Sequence, residues 1–201
     1  MSTRGVRRLF YAGGAVLLSL SLAAAARAGA PPHSLLAPAA AISEIPPATT
    51  TPNTYFVVKV VDGDTVDVAI EGTTTRLRLI GMDTPEVVDP RKPVQCFGRE
   101  ASAEGHALLD GQWVRLEYDP IAGVHDQYGR TLAYVFRASD GLFYNEYMIA
   151  QGFAHEYDYK SQRYTYRAQF KAAQTEAKAA LRGFWSPSAC DGNTTKPAGA
   201  Q

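Results

Sequence analysis

From Tyr55 onward, apolar and β-branched residues recur in short runs divided by turn signals. Tyr55 to Val61, Thr65 to Ile70 and Thr74 to Met82 are rich in Val, Ile, Leu and Thr, with Asp62-Gly63-Asp64 and Glu71-Gly72 between them. Such runs predict three strands in a meander. Arg99 to Leu109 predicts a helix, with Gly111 as its stop. Trp113 to Tyr118 puts Val114, Leu116 and Tyr118 on one face, as a fourth strand does. Arg130 to Phe136 predicts a fifth strand, ended by Ser139-Asp140-Gly141. Asn145 is placed to cap a short helix to Gln151, closed by Gly152. From Tyr164 to Arg182 the residues Tyr166, Phe170, Ala173, Ala177 and Leu181 share one stripe of a last helix, which Gly183 stops, with Trp185 folding back onto the core. A helix ahead of the fourth strand and two after the fifth predict an α+β, mainly β, fold: a five-stranded OB-fold barrel with three helices.

The chain ahead of this pattern has a different character. Arg4, Arg7 and Arg8 precede an apolar run from Ala12 to Ala26, and Ala26-Arg27-Ala28 fits a small-x-small cleavage site. Residues 1–28 therefore look like an export signal. The apolar run is shorter than the ~20 residues of a membrane span, so a periplasmic or secreted product without a stable span in its mature form is expected, with an uncleaved anchor as the alternative. Arg7-Arg8-Leu9-Phe10 partly matches a twin-arginine signal. Residues 29–53 are rich in Pro, Ala and Thr and suggest a linker. The domain is expected over residues 54–190, followed by a tail over 191–201 that looks disordered from Asn193 on. No oligomer interface is legible, so a monomer is expected.

Charge narrows the partners. The chain holds 20 basic and 20 acidic residues, and removing residues 1–28 removes Arg4, Arg7, Arg8 and Arg27 but no acid, leaving a net charge of about −4. This excludes a protein that holds nucleic acid by bulk positive charge. Two cysteines, Cys96 and Cys190, in an exported chain suggest one bridge, the alternative being two thiols.

The chemistry gathers around the second hairpin. With the turn near Gly72-Thr73, antiparallel pairing sets Asp64 across from Asp83, at the ~4.5–5.5 Å Cβ spacing of cross-strand partners. Two carboxylates that close repel unless a cation lies between them, and oxygen ligands suit a hard ion such as Ca²⁺ or Mg²⁺. Arg78 alternates with Leu77 and Leu79, so it leaves their face, where a guanidinium can grip phosphate oxygens in a bidentate way. Arg130, after the turn Asp126-Gln127-Tyr128-Gly129, is a second candidate for the same phosphate. Glu86, just past Pro85, could orient or deprotonate a water for in-line attack on phosphorus. Taken singly these residues have ordinary readings: a turn, a solvated strand residue, a loop signal. Their conjunction, in this order, carries the functional reading. Arg91 and Lys92 offer positive charge in the following loop, or else form a solvated loop. His106, His125 and His155 show no zinc spacing, and His125 is expected as a surface loop residue.

These residues resemble the staphylococcal nuclease (thermonuclease) family. DGDT at 62–65, RLRLIGMDTPE at 76–86, FGREAS at 97–102, DQYGRTLAY at 126–134 and the Asn145-Glu146…Gln151-Gly152 helix fit in order, covering about Tyr55 to Trp185. The resemblance implies calcium-dependent hydrolysis of DNA and RNA phosphodiesters with little sequence preference, leaving 3′-phosphate ends. It implies Asp64, Asp83 and the carbonyl of Thr84 as ion ligands, with Asp62 behind them, and Arg78 and Arg130 as phosphate grips. Glu86 matches the general base, and Tyr128 a phosphate contact. Tyr157 and Tyr159 match the aromatic pair by the base, where stacking is worth ~1–3 kcal/mol per base and a single strand is the better fit. Lys92 joins them as a candidate substrate contact. The chain departs from the best-known member of that family in having Gln127 rather than a lysine before Tyr128, a stretch before Tyr157 that is one residue shorter, a slightly longer Asp119–Asp126 loop, a cysteine pair and a slightly acidic balance. Weaker non-specific DNA affinity and more reliance on Ca²⁺ are therefore expected. The alternative is a non-catalytic OB-fold module that binds nucleic acid, but such a module is expected to lack some of Asp64, Arg78, Asp83, Glu86 and Arg130, all present here.

Overall fold

The computed structural model describes residues 53–199. The expected export signal over 1–28 and all of the expected linker but Asn53 lie outside the described residues.

Alternation produces the barrel. Strands β1 (Thr54–Asp62), β2 (Thr65–Ile70) and β3 (Thr73–Leu79) form a meander, joined at its second turn by Glu71 and Gly72, both at positive φ. Two successive positive φ values make the tight hairpin turn that matches strand twist, and they fix the register Ile70↔Thr73 to Thr65↔Arg78. After helix α1 (Gly98–Leu109), strand β5 (Trp113–Glu117) pairs with β1, and β6 (Thr131–Arg137) pairs with β5 and, in parallel, with β3. The order β1-β2-β3-β6-β5 closes on itself, the five-stranded barrel expected from the sequence. Inward positions such as Val57, Val66, Leu77, Leu79, Val114 and Val135 are fully or nearly fully buried.

Two further helices complete the expected three. Helix α2 (Tyr144–Ala150) packs on α3 (Arg167–Ala179), and Phe170, Ala173 and Ala177 of the expected stripe face the core. The Cys96–Cys190 bridge is present, with Cα atoms 6.0 Å apart. No helix among the described residues is long and apolar enough to cross a membrane.

The structure corrects several expectations. The third strand stops at Leu79, because Ile80 and Gly81 reverse the chain; Met82–Asp83 forms a separate short strand, β4, paired with β7 (His155–Glu156). Asn145 is not a helix cap: α2 begins one residue earlier with Phe143 at its N-cap, and Asn145 is buried. It accepts the Val135 N–H at 2.9 Å and donates to the Ile80 carbonyl at 3.0 Å, tying helix to barrel. The last helix is shorter than Tyr164 to Arg182, so Leu181 falls beyond it, exposed and at positive φ. Phe184, rather than Trp185, is the fully buried ring of the fold-back. The chain past Asn193 is tied down: Gln95 bridges Pro197, Cys96 N–H donates to the Lys196 carbonyl at 2.8 Å, and Thr194 is buried.

Candidate active site

The expected face-to-face pairing of Asp64 with Asp83 does not occur. The two-residue turn sets Thr65 opposite Arg78, and the Leu79 N–H donates to the Asp64 carbonyl at 2.9 Å. Asp83 comes to the same place by a different route, the chain reversal at Gly81. Between the two carboxylates lies Arg78. Its guanidinium meets Asp64 at 2.9 Å and Asp83 at 2.6 Å, and donates to the Met82 carbonyl at 3.0 Å. The Arg78 side chain is 13% exposed, so this cluster sits in a partly desolvated place. Burial alone would lower its pKa, but Asp64, Asp83 and Asp62 outweigh that and raise it, so the charge is secure.

The acids carry the opposite strain. Burial, then the neighbouring Asp64, pushes the Asp62 carboxyl up to about 7. Burial also raises Asp83, and Arg78 only partly offsets it. Asp62 Oδ1 accepts the Asp64 N–H at 3.1 Å, while Asp64 takes the Thr65 hydroxyl at 2.9 Å and the Thr84 N–H at 3.0 Å. Thr84 is thus locked beside Asp64 by its backbone. Two carboxylates share one guanidinium here, with the charge of Asp62 close behind them, an oxygen-rich set with surplus negative charge of the kind a hard divalent cation relieves. Among the described residues no group of three or more His, Cys, Asp or Glu side chains forms a ready-made metal cage. The donor chemistry therefore fits a hard ion whose remaining ligands are carbonyl and water oxygens.

Arg78 also opens onto a cleft of about 290 Å³. Arg130, Tyr128, Tyr157 and Tyr159 line it, so the structure brings these sequence-selected residues together with Arg78. Arg130, the residue just before β6, pairs with Asp126 at 2.6 Å, its guanidinium 5.5 Å from the Tyr128 ring. Tyr128 is 75% exposed. Tyr159 donates to Gln127 Oε1 at 2.5 Å, so Gln127 couples two walls of the cleft. His125 is a cleft-lining loop residue as well as an exposed one.

Glu86 and Lys92, like Asp62, Asp64, Asp83 and Thr84, are not among the residues that line the cleft. Glu86 Oε1 turns onto its own loop, accepting the N–H groups of Val87, Val88 and Asp89 at 2.9, 2.8 and 3.0 Å. It is close enough to Asp83 to help raise that carboxyl. Lys92 is mostly exposed and reaches only Asp89, at 4.0 Å.

Some supporting residues escaped the sequence reading. Buried Asp119 accepts Tyr134 Oη at 2.5 Å and the N–H groups of Thr165 and Ile121, both at 2.7 Å, pinning the cleft loop to β6 and to the approach of α3. Burial alone would raise its carboxyl, but these donors outweigh it and hold it low. An Asp-Pro pair opening a loop was the available signal. Arg163, Gln162 and Tyr164 also line the cleft, and nothing in their spacing marked them.

The closed barrel sets Arg78, paired with Asp64 and Asp83, on a cleft beside Arg130, and the family match and the relatives it resembles make this chain a nuclease-type hydrolase. It belongs to the staphylococcal nuclease family: the profile described as Staphylococcal nuclease homologue matches residues 76–187, more than half of the chain. The chain is 42% identical over 133 residues to a thermonuclease of Staphylococcus hyicus, covering 66% of this chain and 76% of the relative. A thermonuclease of Staphylococcus intermedius is 40% identical over 131 residues, or 65% and 75% of the two chains. The endonuclease YncB of Bacillus subtilis is 33% identical over 130 residues, or 65% and 60%.

Proposed function

We propose that the chain is an exported, monomeric, calcium-dependent endonuclease that hydrolyses phosphodiesters of DNA and RNA with little sequence preference, favours single strands and leaves 3′-phosphate ends. One observation carries the proposal: a well-buried, securely charged Arg78 joins Asp64 and Asp83 and lines a cleft that also holds Arg130, Tyr128, Tyr157 and Tyr159. Arg78 and Arg130 grip the non-bridging oxygens of the scissile phosphate and stabilise the charge that builds on them in attack. Asp64, Asp83 and the Thr84 carbonyl would hold Ca²⁺, with Asp62 accepting the Asp64 N–H from behind. The ion supplies Lewis-acid stabilisation of the phosphoryl charge. Glu86 takes a proton from the attacking water at Oε2, since Oε1 already accepts three backbone N–H groups. Tyr128 meets a neighbouring phosphate, and Tyr157 and Tyr159 offer faces to an unstacked base, which suits a single strand. Lys92 adds charge on the approach.

The test is digestion of single-stranded DNA by the protein comprising residues 29–201, with Ca²⁺ and with chelator, beside Glu86→Gln and with end-group analysis of the products. Calcium-dependent cleavage to 3′-phosphate ends that collapses in the variant supports the proposal. Binding without cleavage by the folded, calcium-loaded protein moves the reading to a non-catalytic nucleic-acid-binding module.

A further inference from the structure

The loop that starts at Glu86 is clasped at its base. The Gln95 N–H donates to the Glu86 carbonyl at 2.9 Å, and the Glu86 N–H donates to Gln95 Oε1 at 2.7 Å. Within the loop, the Glu86 carboxylate takes its direction from the next three N–H groups. The clasp therefore fixes the backbone from which the carboxylate hangs. Helix α1 abuts it: a Cβ at Gly98 would stand 3.0 Å from the Glu86 carbonyl oxygen and 2.9 Å from Val87 Cγ2.

The far side of the clasp is held by the C-terminal segment. Cys96, next to Gln95, is bridged to Cys190. The Cys96 N–H donates to the Lys196 carbonyl at 2.8 Å, and the Ala198 N–H to the Val94 carbonyl at 2.7 Å, with Gln95 bridging Pro197 between them. This strap is itself anchored where buried Thr194 meets His155 Nε2 at 3.0 Å. Two short backbone bonds at the edge of the fold are easily lost to fraying, whereas a covalent tie across 94 residues keeps the strap in register with the clasp.

We propose that Gln95 is a positioning residue for Glu86, and that the Cys96–Cys190 bridge with the Thr194–Ala198 strap holds Gln95 in that role, so that full turnover requires the bridge. This rests on Glu86 as the proton acceptor proposed above. Turnover is then slower when the two cysteines are thiols than when they are bridged.

The experiment measures kcat and KM on a short single-stranded DNA, with melting temperatures, for the oxidised protein and for Gln95→Met, Gln95→Glu, Cys96→Ser/Cys190→Ser and Glu86→Gln. Gln95→Met removes the acceptor at nearly constant volume; kcat should fall ~10–10²-fold, as misplacement of a reacting group does, with KM unchanged because the cleft is untouched. Gln95→Glu keeps an acceptor and should recover most of the loss. The double serine variant, assayed well below its melting temperature, should lose kcat similarly, and adding Gln95→Met to it should cost little more. Wild-type kcat in both Gln95→Met and the folded double serine variant, with Glu86→Gln inactive, overturns the positioning proposal and leaves the base assignment standing. Full activity in Glu86→Gln overturns both. If the double serine variant does not fold, the Gln95 pair decides: a loss that Glu rescues supports the proposal, and no loss overturns it.

Discussion

Tyr144 Oη donates to the Gly63 carbonyl at 2.8 Å, joining two residues 81 positions apart. The ring is fully buried, and the carbonyl belongs to the turn that carries Asp62 and Asp64. Helix α1 yields the space: a Cβ at Gly105 would lie 2.8 Å from that hydroxyl. Tyr144→Phe strands a buried carbonyl, which costs about 1–3 kcal/mol. A lowered urea midpoint is expected, together with a higher Ca²⁺ concentration for half-maximal turnover if Asp64 holds the ion as proposed. An unchanged midpoint would show that the carbonyl finds another donor.

The two arginines differ in what surrounds them, so their removal should differ too. Arg78→Ala leaves Asp64 and Asp83 without their shared guanidinium, and breaking the buried pair with Asp64 this way costs about 3–5 kcal/mol. Arg130 pairs with Asp126 at a side chain 31% exposed, and such a pair contributes only about 0–1 kcal/mol. Both variants should lose turnover by ~10²–10³-fold, as removal of one charge-stabilising donor does. Single-turnover rates and thermal melts on the same samples should therefore show equal catalytic damage with unequal destabilisation. Near-normal turnover in either variant would remove that arginine from the phosphate grip.

Why the chemistry was legible in the sequence and its geometry less so follows from the same residues. Asp64, Arg78, Asp83 and Arg130 are polar side chains set among strand residues, and the barrel follows from alternation and turn signals close in sequence. The turn at Glu71-Gly72 sets Asp64 level with Leu79, four positions short of Asp83, and an even shift leaves the same residues on each face, so no pattern of apolar positions records it. Asp83 reaches Asp64's neighbourhood through a reversal at Gly81 and a pairing with His155, more than 70 residues on, which local periodicity does not encode. Asn145 has the form of a cap, and only the fold shows that its amide is used by Val135 and Ile80 instead. The polar C-terminal segment has the composition of a disordered tail, but its backbone pairs with Val94–Cys96, and backbone pairing is blind to composition.

His155 makes stability pH-dependent in a defined direction. Burial, with Lys178 nearby, lowers its pKa from 6.5 to about 4, and its ring lies 4.3 Å from that of Phe184. The folded state thus binds this proton less readily than the unfolded chain. Stability from the neutral ring is fully present above pH 6.5 and is lost as pH falls from there through about 4. His155→Phe keeps an aromatic ring but not the titration, so its stability should fall less steeply than wild type between pH 6.5 and 4. Urea midpoints at several pH values check this; parallel curves would mean that the unfolded chain suppresses the histidine equally.

Gly81 is the pivot that returns Asp83 to Arg78, and two separate constraints act on it. Its φ is +76°, and an added Cβ would lie 2.7 Å from Tyr164 Cε2 and 2.8 Å from Phe170 Cδ2, ring atoms of the packed core. Gly72 has a similar φ of +78° with nothing within 4 Å. Gly72→Ala therefore isolates the backbone penalty, about 1–2 kcal/mol for a left-handed L-residue. Gly81→Ala adds overpacking against the rings, for a total of about 2–5 kcal/mol. It should also lower turnover below its melting transition, since the turn must shift and carry Asp83 away from Arg78, whereas Gly72→Ala should leave turnover intact. Equal melting temperatures for the two variants would mean that Tyr164 and Phe170 move aside freely. Equal turnover would mean that the position of Asp83 does not depend on this turn.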